Sequence, residues 1–225
     1  MALAASLRLV LAPPHPAGRP FLAGGAIVAV IGLFTSAWLV WIGIAFVLFC
    51  LYFFRDPERV PPDRPGAIIA PADGHIVSVM PAVPPAELDL GDAPRWRVAI
   101  FLSVLDVHVN RIPVDGTITR IAYRHGKFLS ANLDKASTDN ERNALAIRMA
   151  DGNSIAVVQI AGLIARRILC DVSEGDAVHA GARFGIIRFG SRTDIYLPEG
   201  VRPLVADGQT MIGGETVIAE LHPGS

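Results

Sequence analysis

A serine beside a glycine, between two strand-like runs, is the first place in this chain where residue types and spacing could support covalent chemistry. The segment Phe184-Gly185-Ile186-Ile187-Arg188-Phe189-Gly190-Ser191-Arg192-Thr193-Asp194-Ile195-Tyr196-Leu197-Pro198 carries one strand straight into Gly190-Ser191 and a second strand out of it. A serine hydroxyl attacks a carbonyl only where a nearby base relieves it of its proton. Taken alone, Gly-Ser reads as a plain hairpin turn. His108 follows a strand and stands two residues after Asp106 on an extended segment, so both side chains can point to one face. By itself such a histidine reads as a satisfied structural residue, and Asp73, in Asp73-Gly74, as an ordinary turn residue. These residues acquire meaning only from their surroundings.

The elements that would have to position them are short and β-rich. Ile76–Val79, Trp96–Leu102, Thr117–Ile121, Leu145–Met149 and Ile155–Ile160 read as strands, separated by Asp-Gly or Gly-rich turns. Only the stretch from Asn132 to Arg142 has room for a helical turn, and a polar loop suits it equally well. Two motifs repeat. Pro71-Ala72-Asp73-Gly74-His75-Ile76 and Pro113-Val114-Asp115-Gly116-Thr117-Ile118 share P-x-D-G-x-I. Gly175-Asp176-Ala177-Val178-His179-Ala180-Gly181 is echoed by Gly208-Gln209-Thr210-Met211-Ile212-Gly213-Gly214. Such repeats predict a mainly β, barrel-sandwich (hybrid-motif-like) domain built from hairpins, and say nothing about chemistry.

Hydropathy divides the chain. Its mean hydropathy is +0.43, and the apolar residues concentrate between Gly24 and Phe54, a run without a charge and with only Thr35 and Ser36 as clear polar interruptions. That length of apolar sequence reads as membrane-embedded. As one straight helix it would reach about 46 Å, against a hydrocarbon core of roughly 30 Å. One tilted helix with a buried extension, or a short helical hairpin dipping into one leaflet, are the workable forms. Arginines flank both ends, so charge bias sets no orientation. The expected organisation is a leader over 1–23, a hydrophobic anchor over 24–54 and a β-rich domain over 55–225, at the cell membrane. The net charge of -1, with no basic face, argues against nucleic acid. Two cysteines, Cys50 and Cys170, support neither a disulfide framework nor a metal cluster.

With these blocks in order, the chain resembles the phosphatidylserine decarboxylases, and specifically their short, single-domain branch. An apolar anchor leads into Phe53-Phe54-Arg55-Asp56-Pro57-Glu58-Arg59, then Pro71-Ala72-Asp73-Gly74. Leu102-Ser103-Val104-Leu105-Asp106-Val107-His108-Val109-Asn110-Arg111-Ile112-Pro113 follows, then His125-Gly126-Lys127-Phe128, Asp134-Lys135-Ala136 and Asn140-Glu141-Arg142-Asn143. Arg188-Phe189-Gly190-Ser191-Arg192 comes last. The resemblance implies a proenzyme that cuts itself between Gly190 and Ser191, giving a large chain, 1–190, and a small chain, 191–225. Glycine before the serine removes a Cβ that would crowd the attack. The cut end would become a pyruvoyl group that condenses with the amine of a serine head group and accepts electrons as CO₂ leaves, the task pyridoxal phosphate performs elsewhere. No metal and no diffusible cofactor is implied. The partners would be a phospholipid and the membrane.

The resemblance also names residues. His108 becomes the candidate base near Ser191, with Asp73 or Asp106 orienting it in the manner of a Ser-His-Asp system. Longer members carry a second histidine three positions on, where this chain has Arg111, a residue suited to a carboxylate or phosphate. His125, Lys127, Lys135 and Arg142 lie in a polar segment that would cover a lipid head group, and are candidate substrate contacts. Two other classes fare worse. A carrier domain needs a lysine at a hairpin tip, where Val178-His179 and Thr210-Met211 stand. A zinc peptidase needs His-x-His and His-x-x-x-Asp pairs, and His108 is followed by Val109-Asn110-Arg111-Ile112.

Overall fold

The apolar run folds back on itself. The computed structural model describes residues 12–126, 140–162, 167–188 and 191–221, and the chain divides into two compact units after Glu58. In the first unit α1 (Arg19–Thr35) and α2 (Ala37–Phe53) form an antiparallel hairpin, each 17 residues and so about 26 Å long. The break falls on the polar pair found in the sequence. Ser36 is extended (φ -162°, ψ 129°), and the Thr35 hydroxyl turns back to the Ile31 carbonyl at 2.9 Å. Small residues let the helices touch. A Cβ on Gly43 would stand 2.5 Å from the Ala29 nitrogen, and one on Gly32 would run into the Val40 backbone. Close approach through glycine and alanine is the packing mode of helices that have no water to exclude. The outer surface is apolar: Phe34, Trp38, Trp41 and Leu33 are all exposed. Pro16–Thr35 is long and apolar enough to cross a membrane, and Ala37–Phe53 is shorter. The helix starts at Arg19, inside the stretch expected to be leader.

The second unit is mainly β, as the repeats predict. Its strands are β1 (Ala67–Ile69), β2 (Gly74–Ala82), β3 (Arg95–Leu102), β4 (Val109–Arg111), β5 (Gly116–Arg124), β6 (Arg142–Arg148) and β7 (Ser154–Ala161). Then come β8 (Ile168–Cys170), β9 (Ala177–Val178), β10 (Arg183–Ile187), β11 (Ser191–Tyr196), β12 (Thr210–Met211) and β13 (Val217–Glu220). Eight of them make one antiparallel sheet in the order β12-β2-β3-β11-β7-β6-β5-β9. Two small sheets, β1-β13 and β4-β10-β8, accompany it. All five strands read from the sequence are present. Most of the stretch expected to be helical or loop, 132–142, lies outside the described residues, and Arg142 opens β6.

The sequence repeat is a structural one. The two P-x-D-G-x-I motifs lead into β2 and β5, where Gly74 pairs with Met211 of β12 and Gly116 with Val178 of β9. Each strand slips register just afterwards, between Ile76 and Ser78 and between Ile118 and Arg120. Glycine is required at the start of both strands because a Cβ would strike a carbonyl, that of Phe101 at Gly74 and that of Arg148 at Gly116. The sheet order therefore reads the same from either edge, with β11 and β7 at its centre.

Both faces of that centre are buried. Val98, Ile100, Leu145, Ile147, Ile155, Val157 and Ile195 point inward, where Ile68, Phe184, Leu197 and Ile218 pack on them. Ala144, Ala146, Ala156, Val158, Ile160 and Tyr196 point outward, under Leu88. Each fully buried Ile or Leu contributes roughly 1.5–3 kcal/mol. Ser191 heads β11, all six residues of which are buried.

Candidate active site

Alternation along β11 sends Ser191, Thr193 and Ile195 to the inner face and Arg192, Asp194 and Tyr196 to the outer one. Ser191 is paired on both sides, with Leu102 of β3 and Ala161 of β7, and is completely buried. Its Oγ has no hydrogen-bond partner among the described residues. A buried hydroxyl left so costs about 1–3 kcal/mol, and such atoms in native proteins call for a chemical explanation. Gly190 lies outside the described residues.

One row further in, the apolar core gives way to amides. Thr193, Gln159 and Asn143 face one another across β11, β7 and β6. Asn143 Nδ2 donates to Gln159 Oε1 at 2.9 Å, and Gln159 Nε2 donates to Asn110 Oδ1 at 2.7 Å. All three amides are buried. This chain pins β4 against the sheet one row from Ser191, since Gln159 and Ser191 are diagonal neighbours across the β7–β11 pair.

His108 comes two residues before Asn110 and is completely buried. Its backbone carbonyl accepts from the Ile187 nitrogen at 3.3 Å, at the end of β10, four residues before Ser191. Its Nδ1 lies 3.0 Å from the Asp106 carbonyl. A carbonyl can only accept, so Nδ1 carries the proton and Nε2 is the basic nitrogen of the neutral ring. The Asp106 carboxylate is engaged elsewhere, accepting from the Ser103 nitrogen at 2.8 Å and the Ser103 hydroxyl at 2.7 Å. Asp106 thus meets His108 through its backbone.

Asp73 is half-buried between Arg59, at 2.7 Å from Oδ2, and the Gly213 nitrogen, at 2.8 Å from Oδ1. The second repeat shows what the latter bond does: Asp115 accepts from the Ala180 nitrogen at 2.8 Å in the matching place. Both aspartates cap the equivalent turn, and Asp73 alone of the two adds a buried arginine. Arg111 is buried, donating to the Gly181 carbonyl at 2.9 Å and lying against Gly214. His125 is exposed and stacks edge-on against Tyr123, whose hydroxyl bonds the Glu141 carboxylate. Partial burial and that carboxylate push the Tyr123 phenol up to about 12. Arg142 lies on the outer face, paired with Glu87. Burial opposes ionisation of Glu87, and its backbone bond and Arg142 more than offset this, holding the carboxyl below its usual range. The structure therefore gathers Ser191, the β4 segment after His108 and the amide row, and sets Arg142 on the other side of the sheet. Lys127 and Lys135 lie outside the described residues.

Two groups escaped the sequence reading. On the outer face Arg192 grips Asp194 with two bonds, of 2.6 and 2.8 Å, and Arg97 approaches the same carboxylate at 3.9 Å. Burial and Asp194 raise the nearby Tyr196 phenol. The amide row is the other. Its only signal was a glutamine inside the apolar strand Ile155–Ile160, at a position where the pleat points inward. A cavity of about 710 Å³, lined by Pro61, Arg64, Val114, Met149 and Leu221 among others, includes none of Ser191, His108 or Asn110. Among the described residues no cluster of three or more His, Cys, Asp or Glu is placed to hold a metal.

The family model described as phosphatidylserine decarboxylase matches residues 46–219. The chain is 76% identical to the phosphatidylserine decarboxylase proenzyme of Granulibacter bethesdensis over 223 residues, 99% of this chain and 91% of that one. It is 63% identical to the proenzyme of the same name from Gluconacetobacter diazotrophicus, over 98% of this chain and all of that one. A relative in Saccharopolyspora erythraea, again a phosphatidylserine decarboxylase proenzyme, is 55% identical over 97% of this chain and 93% of its own length. Over nearly its whole length, from the apolar hairpin to the strand after Ser191, this chain belongs to the phosphatidylserine decarboxylase family.

Proposed function

We propose that the protein decarboxylates phosphatidylserine to phosphatidylethanolamine, using a pyruvoyl group that it makes from Ser191 by cutting itself after Gly190. The observation that carries this reading is the Ser191 hydroxyl, fully buried and without a partner among the described residues at the head of a strand paired on both sides. Position 191 suits such a group: a chain end created there stays anchored by the ladders to β3 and β7. The pyruvoyl group would supply an electrophilic ketone, able to condense with the substrate amine and take up the electron pair left as CO₂ departs.

The chain's own residues do the rest. The neutral ring of His108, its proton held on Nδ1 by the Asp106 carbonyl, offers Nε2 as the base that takes the Ser191 proton. The hydroxyl then attacks the Gly190 carbonyl, exchanging an amide for an ester. Loss of the Ser191 α-proton would expel the Gly190 carboxylate, cutting the chain, and one water would turn the resulting enamine, through its imine, into the ketone with release of ammonia. Asp73, Arg59 and Gly213 lock the turn between β1 and β2. The hairpin, apolar on its outside, tethers the enzyme to the bilayer that holds its substrate.

Intact mass of the purified protein under denaturing conditions tests this. The expected result is a fragment covering 191–225, 35 residues long and blocked at its N terminus, absent from Ser191→Ala. A lipid-active protein recovered as one continuous chain would overturn the reading.

A further inference from the structure

The two faces of the sheet at Ser191 differ in charge. Outward lie Arg97, Arg192, Asp194 and Arg142, in ion pairs. Inward, the side chains in the rows next to Ser191 are neutral: Ala161, Thr193, Gln159 and Asn143, with Asn110 bonded over them. The amides run in one direction. Each link spends an N–H of one amide on the oxygen of the next, so the chain ends with the Asn110 oxygen occupied and its NH₂ left over. That Nδ2 is buried and has no partner among the described residues, and the same holds for Thr193 Oγ1 and Ser191 Oγ. Three unspent polar atoms on one closed face are costly unless a ligand takes them up.

We propose that Asn110 Nδ2, oriented by Gln159 and Asn143, is the donor that receives the α-carboxylate of the seryl head group. This rests on the function proposed above. With the substrate amine at position 191, the carboxylate on the same carbon comes within a row of Ser191, whereas the phosphodiester extends toward the lipid. A neutral donor also suits the step. The carboxylate loses its charge as CO₂ leaves, so a fixed cation would hold the ground state more tightly than the transition state and slow the reaction. An amide orients the carboxylate with less of that bias. Phosphatidylethanolamine lacks the carboxylate, loses this contact and is the weaker ligand at that point.

The test compares Asn110→Leu and Asn110→Asp with wild type in detergent–lipid micelles. Leucine removes the donor, and aspartate puts a carboxylate in its place. Both variants should release the 35-residue fragment as wild type does. The KM for phosphatidylserine should rise roughly tenfold or more for leucine, the scale of a hydrogen bond to a charged group, and further for aspartate. Inhibition by added phosphatidylethanolamine should stay within about twofold of wild type for Asn110→Leu. An unchanged KM in both variants, or equal weakening of both lipids, overturns the proposal. Loss of the fragment in both also overturns it, by placing Asn110 in self-cleavage or folding. Failure of the reading beneath it looks different: wild type itself would then show no cut or no turnover.

Discussion

The fate of each polar side chain around β11 is decided by which side of the pleat it takes. Ser191 and Asp194 are three residues apart on one strand, both completely buried, yet one has no partner among the described residues and the other is held by two arginines. Asp194 is the more critical for folding. Asp194→Asn removes the buried carboxylate that Arg192, itself 1% exposed, grips with two bonds, and should cost about 3–5 kcal/mol. Chemical denaturation of Asp194→Asn in the Ser191→Ala background measures this without interference from cleavage. Tyr123 offers a second check. With its phenol raised from 10.0 to about 12, the folded state holds that proton more tightly than the unfolded one. Its contribution to stability is complete below pH 10 and is lost as pH rises through about 12. Tyr123→Phe should flatten the alkaline part of the stability profile, and the absorbance titration of tyrosine should lose a late-ionising phenol.

Elements meet here through places where no side chain fits. Gly116→Ala puts a methyl group against the Arg148 carbonyl and should pry β5 from β6, lowering the melting temperature of the β-rich unit. Gly91→Ala, where nothing lies within 4 Å, is a packing control, although φ of +80° adds strain of its own. In the first unit Gly43→Val drives into the Ala29 backbone. It should separate α1 from α2 and weaken the hairpin in detergent, as read by helical circular dichroism on heating, while leaving the β signal in place. The two glycines act alike because close backbone approach is what each contact consists of.

At the scale of the whole molecule, a cut after Gly190 would leave two chains that cannot easily part. Residues 191–221 supply β11, β12 and β13, which pair with β3 and β7, with β2 and with β1 respectively. Native mass measurement should therefore find the large and small chains together, and only denaturant should separate them. A small chain that dissociates under native conditions would contradict the ladder picture. The pairing also accounts for a repeat whose halves exchange partners. β2 and β5 each draw an edge strand from the C-terminal third of the chain, so the centre of the sheet closes only when 191–196 is in place.

Much of this was open to reading along the chain. The strands announced themselves as β-rich runs between Asp-Gly turns, the repeat as P-x-D-G-x-I, and Thr35-Ser36 as the polar interruption of an apolar segment whose form, tilted helix or hairpin, stayed open. These are local properties: propensity, turn chemistry and the cost of a polar group among apolar ones act over a few residues. Sequence alone also placed a glycine and a serine at the junction of two strands. Which way side chains face was undecided, because β6, β7 and β11 are buried on both sides and their patterns do not alternate. Only the tertiary register could send Arg142 to Glu87, turn the Asp106 carboxylate to Ser103 and bring Asn110 onto Gln159, 49 residues away. Contacts of that kind follow from how strands are ordered in the sheet, and strand order belongs to the closed fold.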